Sequence, residues 1–208
     1  FSTCSSGEEN EYTSIKESYF PPIGSDIWET TTPAALGWDE SQIQPMLDYL
    51  DHKHSKSFII LVDGRIVLEQ YFNSHTANSP WYWASAGKTL TSTLFGIAEQ
   101  ENFLNRNNPV SDYLGEGWTS LPVEKENLIT NQNLLSMTSG LNDALGDDVS
   151  KENLQYTADA GTRWAYHNVY VKLQDVIAAA TGMTWSNYFN SRLKNKIGMT
   201  GMWMASGK

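Results

Sequence analysis

Apolar residues follow a strand-like pattern in residues 57–72. Two runs rich in β-branched and aromatic residues, 57–62 and 65–72, meet at Asp63-Gly64, a dipeptide typical of two-residue hairpin turns. The first run is almost wholly apolar, so we predict that it is buried on both faces. Because an isolated hairpin is not stable in water, we expect further strands beside it.

Helix-like spacing follows in several other stretches. Ile43, Met46, Leu47 and Leu50 repeat at i, i+3, i+4 and i+7, which predicts a helix that begins near Trp38. The same reasoning predicts further helices from near Ser85, from Thr130 (N-cap) to Met137 with Gly140 as C-terminal glycine, from Val169 to Thr181 before Gly182, and from Trp185 to Asn195 with Thr184 as N-cap.

These patterns divide the chain into three parts. Residues 1–35 are polar and interrupted by prolines and a glycine, which indicates an N-terminal tether followed by an extended arm. Residues 36–80 hold the first helix and the hairpin, and we interpret them as an α/β portion. Residues 81–208 form a mainly helical portion.

The strongest chemical signal lies where the second helix begins, at residues 84–89, which read ASAGKT. Ser85 and Lys88 are three residues apart, so a helix places them on one face with their side-chain heads within reach. A serine hydroxyl becomes a good nucleophile only when a base takes its proton, and a lysine kept neutral is such a base. The alternative is a surface serine beside a solvated lysine.

Three other classes of site are disfavoured. Residues 87–89 match the end of a phosphate-binding loop, but that motif needs a glycine at position 82, where this chain has Tyr82. The formal net charge is −10 with no basic run, which argues against nucleic acid as a partner. No metal site and no cofactor are expected, because metal-ligand spacing is missing around the four histidines, His52, His54, His75 and His167.

The single cysteine, Cys4, lies in residues 1–9, which read FSTCSSGEE. Small residues before a cysteine and polar residues after it resemble the end of a bacterial lipoprotein signal. This predicts a lipid anchor at Cys4 and an exported protein, periplasmic or membrane-anchored. The alternative is an unremarkable terminal cysteine.

Five segments, in order, resemble the serine β-lactamase and penicillin-binding protein superfamily, and especially its class C β-lactamase-related hydrolases and esterases. The resemblance spans residues 39–203 and implies an α+β fold, with an antiparallel sheet flanked by helices and a mainly helical subdomain. Met137 stands where the family usually has histidine. The matching segments are ASAGKT at 84–89, NNPVSDYL at 107–114, ITNQNLLSMTSGL at 129–141, AGTRWAYHN at 160–168 and KIGMT at 196–200.

The resemblance also implies which residues carry the chemistry. Ser85 would be the nucleophile, and its backbone N–H would supply half of an oxyanion hole. Lys88 and Tyr166 would share the proton transfers, and Asn168 would hold the substrate or Lys88. Two tryptophans, Trp83 and Trp164, are candidate substrate-binding residues, for which plain packing is the alternative.

The family's third motif, a Lys-Thr-Gly or His-x-Gly strand, is not found; the Ser-Gly-Lys at 206–208 comes too early. We therefore expect that this chain lacks the C-terminal strands and that the missing C-terminal segment of the same protein completes the sheet and the site. The implied function is a serine hydrolase that cleaves a small-molecule ester or amide through a covalent acyl-enzyme. The alternative is a non-catalytic, penicillin-binding-like sensor.

Overall fold

The computed structural model describes residues 17–25 and 27–204. The chain divides into two compact units, Phe1–Pro80 and Trp81–Lys208. Cys4, for which a lipid anchor is predicted, and the Ser-Gly-Lys at 206–208 lie outside the described residues. Within the described part, no helix has the length and apolar character needed to cross a membrane.

The first unit contains the predicted hairpin. β1 (Ser57–Val62) and β2 (Arg65–Tyr71) pair antiparallel, with an irregularity in register between Ile60 and Leu61. Both turn residues have positive φ, 49° at Asp63 and 80° at Gly64, as the tight turn that joins such strands requires. The hairpin prediction is therefore confirmed.

The prediction that β1 is buried on both faces is wrong for the described chain. Side chains along β1 alternate between exposed and half-buried, and Ile59 and Leu61 are 49% and 48% exposed. The physical reason is that the sheet has only two strands among the described residues, so β1 has a neighbouring strand on one side only.

A helix precedes the hairpin, as predicted, but it begins later than expected. α1 (Ile43–His52) follows a 3-10 turn over Glu40–Gln42. The carboxylate of Asp39 caps that turn by accepting the backbone N–H of Ser41 at 3.0 Å. None of the residues of α1 is fully buried.

The second unit is built around three longer helices. α2 (Gly87–Gln100), α6 (Lys172–Thr181) and α7 (Trp185–Arg192) pack on one another. Shorter helices lie between α2 and α6 in sequence, namely α3 (Ser111–Leu114), α4 (Val123–Glu126) and α5 (Asn131–Leu135).

Large apolar side chains fill the space between these helices. Leu94 on α2, Leu173 and Ile177 on α6 and Tyr188 on α7 are all 0% exposed. Burial of this kind stabilises a fold by about 1.5–3 kcal/mol for each large apolar side chain. The first turn of α2, which carries Lys88 and directly follows the turn with Ser85, therefore extends from a well-packed core.

Several helix boundaries in this unit follow local signals. Thr130 caps α5 in a capping box with Asn133, and Thr184 caps α7 by accepting the N–H of Asn187, as predicted for both threonines. Gly182, at φ 68°, ends α6 as predicted. However, residues 168–171 form a 3-10 turn before α6, and α7 ends at Arg192 rather than at Asn195.

Gly140 does not close α5, which corrects that prediction. The helix ends at Leu135, and Met137 takes the left-handed conformation with φ 57°. Gly140 has φ 76° for another reason: a Cβ there would lie 2.1 Å from the carbonyl oxygen of Ala158. This glycine permits a close approach of two backbone segments.

Candidate active site

The first turn of α2 presents Ser85 and Lys88 together. Ser85 lies in a 3-10 turn over Ala84–Ala86 that continues directly into α2 at Gly87. The Nζ atom of Lys88 lies 3.3 Å from the Oγ atom of Ser85 and donates to it. The spacing of three residues thus produces the contact that helix geometry predicts.

The backbone just before the serine adopts an uncommon conformation. Ala84 has φ 45°, in the left-handed region that non-glycine residues seldom occupy. Such residues cost about 1–3 kcal/mol each and cluster at functional sites. The turn that presents the Ser85 hydroxyl is therefore held by its surroundings rather than by local preference.

Tyr166 reaches the same hydroxyl from the other half of the unit. Its phenol O–H donates to Ser85 Oγ at 2.7 Å across 81 residues of sequence. The Nζ atom of Lys88 lies 5.1 Å from the centroid of the Tyr166 ring. The structure therefore brings Ser85, Lys88 and Tyr166 together at one point.

The electrostatic surroundings favour ionisation of the tyrosine. The hydrogen bond with Ser85, followed by that with Lys88 and its positive charge, lowers the pKa of Tyr166 below its ordinary value. Burial and the Asp147 carboxylate act in the opposite direction but are outweighed. A phenolate stabilised in this way is a base within reach of the serine proton.

Asn168, two residues after Tyr166, makes a different hydrogen bond from the one to Lys88 considered from the sequence. Its side-chain Nδ2 donates to the backbone carbonyl of Asp147 at 3.0 Å. This contact ties the loop that carries Asp147 to the turn that follows Tyr166.

The two candidate tryptophans are exposed. Trp83, two residues before Ser85, is 57% exposed, and Trp164, two residues before Tyr166, is 67% exposed. Their indole rings are therefore not core packing of the kind seen between α2 and α6. Exposed rings beside a nucleophile offer apolar surface to a bound molecule.

Two further residues support the site and were missed by sequence reasoning. His167 is 4% exposed, and its Nδ1 atom accepts the N–H of Val169 at 3.2 Å, which caps the 3-10 turn after Tyr166. The hydroxyl of Tyr170 donates to the backbone carbonyl of Lys88 at 2.9 Å. The Tyr170 contact joins residues 82 positions apart, so it leaves no spacing signal in the sequence that would reveal it. Within the described part of the chain, no three His, Cys, Asp or Glu side chains are grouped so as to hold a metal ion.

The Beta-lactamase family model matches residues 48–208. The chain belongs to the β-lactamase family. Its fold is accordingly β-lactamase/transpeptidase-like. The family is one of serine hydrolases. No curated protein sequence matches the chain significantly.

Solved structures of the same fold are longer than this chain. FmtA from Staphylococcus aureus superposes with a TM-score of 0.61 at 18% identity, covering 88% of this chain and 56% of that one. A protein assigned as a 6-aminohexanoate-dimer hydrolase from Bacillus anthracis gives 0.66 at 18% identity, with 90% and 57% covered. A class C β-lactamase gives 0.61 at 20% identity, with 78% and 51% covered. The chain thus spans about half the length of these structures.

Proposed function

We propose that the protein is a serine hydrolase that cleaves an ester or amide bond through a covalent acyl-enzyme. The observation that carries this proposal is the meeting of the Ser85 hydroxyl with the Tyr166 phenol at 2.7 Å and the Lys88 ammonium at 3.3 Å. A nucleophile within hydrogen-bond reach of its base, and a base oriented by a third group, is the arrangement that activates a serine.

In the proposed reaction, the Tyr166 phenolate takes the proton of Ser85 as Oγ attacks the carbonyl carbon of the substrate. The carbonyl π bond opens to an oxyanion, for which the backbone N–H of Ser85 is one donor. When the oxyanion collapses, the bond to the leaving group breaks and Tyr166 returns the proton to that group. Water then attacks the acyl-enzyme by the same proton route and releases the acid and free Ser85.

Lys88 has an electrostatic role in this proposal. Its ammonium lies beside both the serine oxygen and the tyrosine ring, so it stabilises the phenolate before attack. Asn168, Trp83 and Trp164 are the proposed substrate contacts. The exposed indoles favour a substrate with an apolar acyl or leaving group, and the anchor at Cys4 would place the reaction outside the cytoplasm.

The test is to incubate the whole protein with a chromogenic short-chain ester, a β-lactam and a D-Ala-D-Ala peptide, following both turnover and intact mass. We expect Ser85→Ala to lower turnover at least about 10³-fold and Tyr166→Phe about 10²–10⁴-fold. Ser191→Ala is a matched control, because that serine hydroxyl lies on α7 and donates to the Tyr188 carbonyl instead.

Activity should also rise with pH as Tyr166 ionises, at a pH below the ordinary pKa of a phenol, and Tyr166→Phe should remove that rise. A stable adduct on Ser85 without turnover would identify a penicillin-binding-like sensor instead. Unchanged turnover in Ser85→Ala would exclude Ser85 as the nucleophile and overturn the proposal.

A further inference from the structure

Two tyrosines from one short segment reach the two ends of the Ser-x-x-Lys turn. Tyr166 donates to the Oγ atom of Ser85 at 2.7 Å, and Tyr170 donates to the backbone carbonyl of Lys88 at 2.9 Å. The first contact involves reacting atoms, whereas the second involves only backbone. The second contact therefore takes no direct part in the chemistry, which points to a structural role for it.

Tyr170 is a well-placed donor for such a contact. The residue is 5% exposed and belongs to the apolar core of the second unit. Burial raises the pKa of Tyr170, although a hydrogen bond with Ser92 partly offsets this, so its hydroxyl keeps its proton and donates. The hydrogen bond to the Lys88 carbonyl is part-buried, and its Tyr170 end is shielded from water.

The segment that carries both tyrosines is short and braced. His167 caps the 3-10 turn over Asn168–Val171, and α6 begins directly after it at Lys172. The buried side chains of α6, Leu173 and Ile177 among them, fix that helix against its neighbours. Tyr166 and Tyr170 are thereby held at a set separation.

Lys88 has the longest and most flexible side chain of the three groups that meet at this point. Its ammonium group ends a flexible four-carbon stem, and the first turn of a helix is where fraying begins. We propose that Tyr170 is a positioning residue that holds the backbone of Lys88, and with it the ammonium group, against the Ser85 hydroxyl and the Tyr166 ring. Only the expected effect of Tyr170 on the rate of hydrolysis rests on the proposed function; the positioning of Lys88 does not.

The experiment compares Tyr170→Phe with Tyr188→Phe in the whole protein. Tyr188 is a matched control, since it is 0% exposed and its hydroxyl donates to Glu101 at 3.1 Å, at the far end of α2. Each variant keeps the ring and removes the hydrogen bonds of one buried hydroxyl, which lie in the first half of α2 for Tyr170 and at the C-terminal cap of α2 for Tyr188. Only Tyr170→Phe removes a contact at the end of α2 that follows Ser85.

We expect Tyr170→Phe to lower kcat for ester hydrolysis about tenfold with KM changed less than about twofold. The rise of activity with pH should move to higher pH, because a displaced ammonium stabilises the Tyr166 phenolate less. Tyr188→Phe should leave both kcat and the pH profile unchanged at a similar loss of melting temperature. Equal effects of the two variants, or an unmoved pH profile in Tyr170→Phe, would overturn the inference.

A second measurement needs no turnover. With ring-labelled tyrosine, the carbon NMR signal of Tyr166 reports its ionisation directly in each variant. A Tyr166 titration that moves to higher pH in Tyr170→Phe but not in Tyr188→Phe supports the inference, and identical titrations overturn it. Ser85→Ala in the same ester assay decides the proposed function separately, so failure of one idea is distinguishable from failure of the other.

Discussion

The helical unit and the hairpin unit differ in how fully they bury their own apolar side chains. Among the described residues, every hydrophobic side chain that is buried belongs to the helical unit, except Val67 and Phe72. In the hairpin unit, Ile59 and Leu61 on β1 stay about half exposed, and α1 buries nothing fully. The candidate catalytic groups thus project from the unit that completes its own core, as a preorganised site requires.

The largest expected effect tests this contrast with one leucine from each unit. Leu94→Ala removes a side chain that is 0% exposed on α2, and it should lower the free energy of unfolding by about 3 kcal/mol. Leu61→Ala, at a position 48% exposed, should cost well under about 1 kcal/mol. Hydrogen exchange measured by mass spectrometry, segment by segment, gives both values. Equal costs would show that the hairpin face is covered in solution.

A smaller effect tests whether the arm before residue 25 is seated on the hairpin. Gly64 and Gly24 share nearly the same φ, 80° and 79°, but only at Gly64 would a Cβ meet another atom, the Tyr19 carbonyl oxygen at 2.0 Å. We expect Gly64→Ala to destabilise the hairpin by about 2 kcal/mol and Gly24→Ala by about 1 kcal/mol. Hydrogen exchange of β1 and β2 is the measurement. Indistinguishable variants would mean that the arm does not pack there.

The same contrast explains how much of the fold could be predicted from the sequence. The turn at Asp63-Gly64 and the caps at Thr130 and Thr184 are local signals, because each is set by residues within a few positions. The conformation of Met137 and the approach of Gly140 to Ala158 depend on distant backbone, which no short pattern records. Long-range packing decides those positions.

The contacts of the candidate site also divide into those that local sequence predicts and those that long-range packing sets. The contact between Ser85 and Lys88 follows from helical spacing, so the sequence alone predicts it. Tyr166 entered only through resemblance to a family, since 81 residues separate it from Ser85. The bond from Tyr170 to the Lys88 carbonyl, across 82 residues, depends on how α6 packs against α2, and no motif carries that information.

The smallest expected effect concerns how the stability of the helical unit depends on pH. Burial lowers the pKa of His167 below its ordinary value, although the Asp143 and Asp147 carboxylates beside it act in the opposite direction. The unfolded chain therefore binds this proton more readily than the folded one. Stability from His167 is fully present above about pH 6.5 and is lost as pH falls from there through the lower folded pKa.

Replacement of this histidine by a residue that caps without titrating isolates the effect. In His167→Asn, the side-chain oxygen can still accept the Val169 N–H, but it carries no proton to gain. We expect the wild type to lose about 1 kcal/mol of stability between pH 7 and pH 5 that the variant keeps. The loss should appear in the exchange protection of α6 and be missing from β1 and β2, because the cap that His167 provides lies on the turn directly before α6. An equal loss in both proteins would assign the pH dependence to other groups.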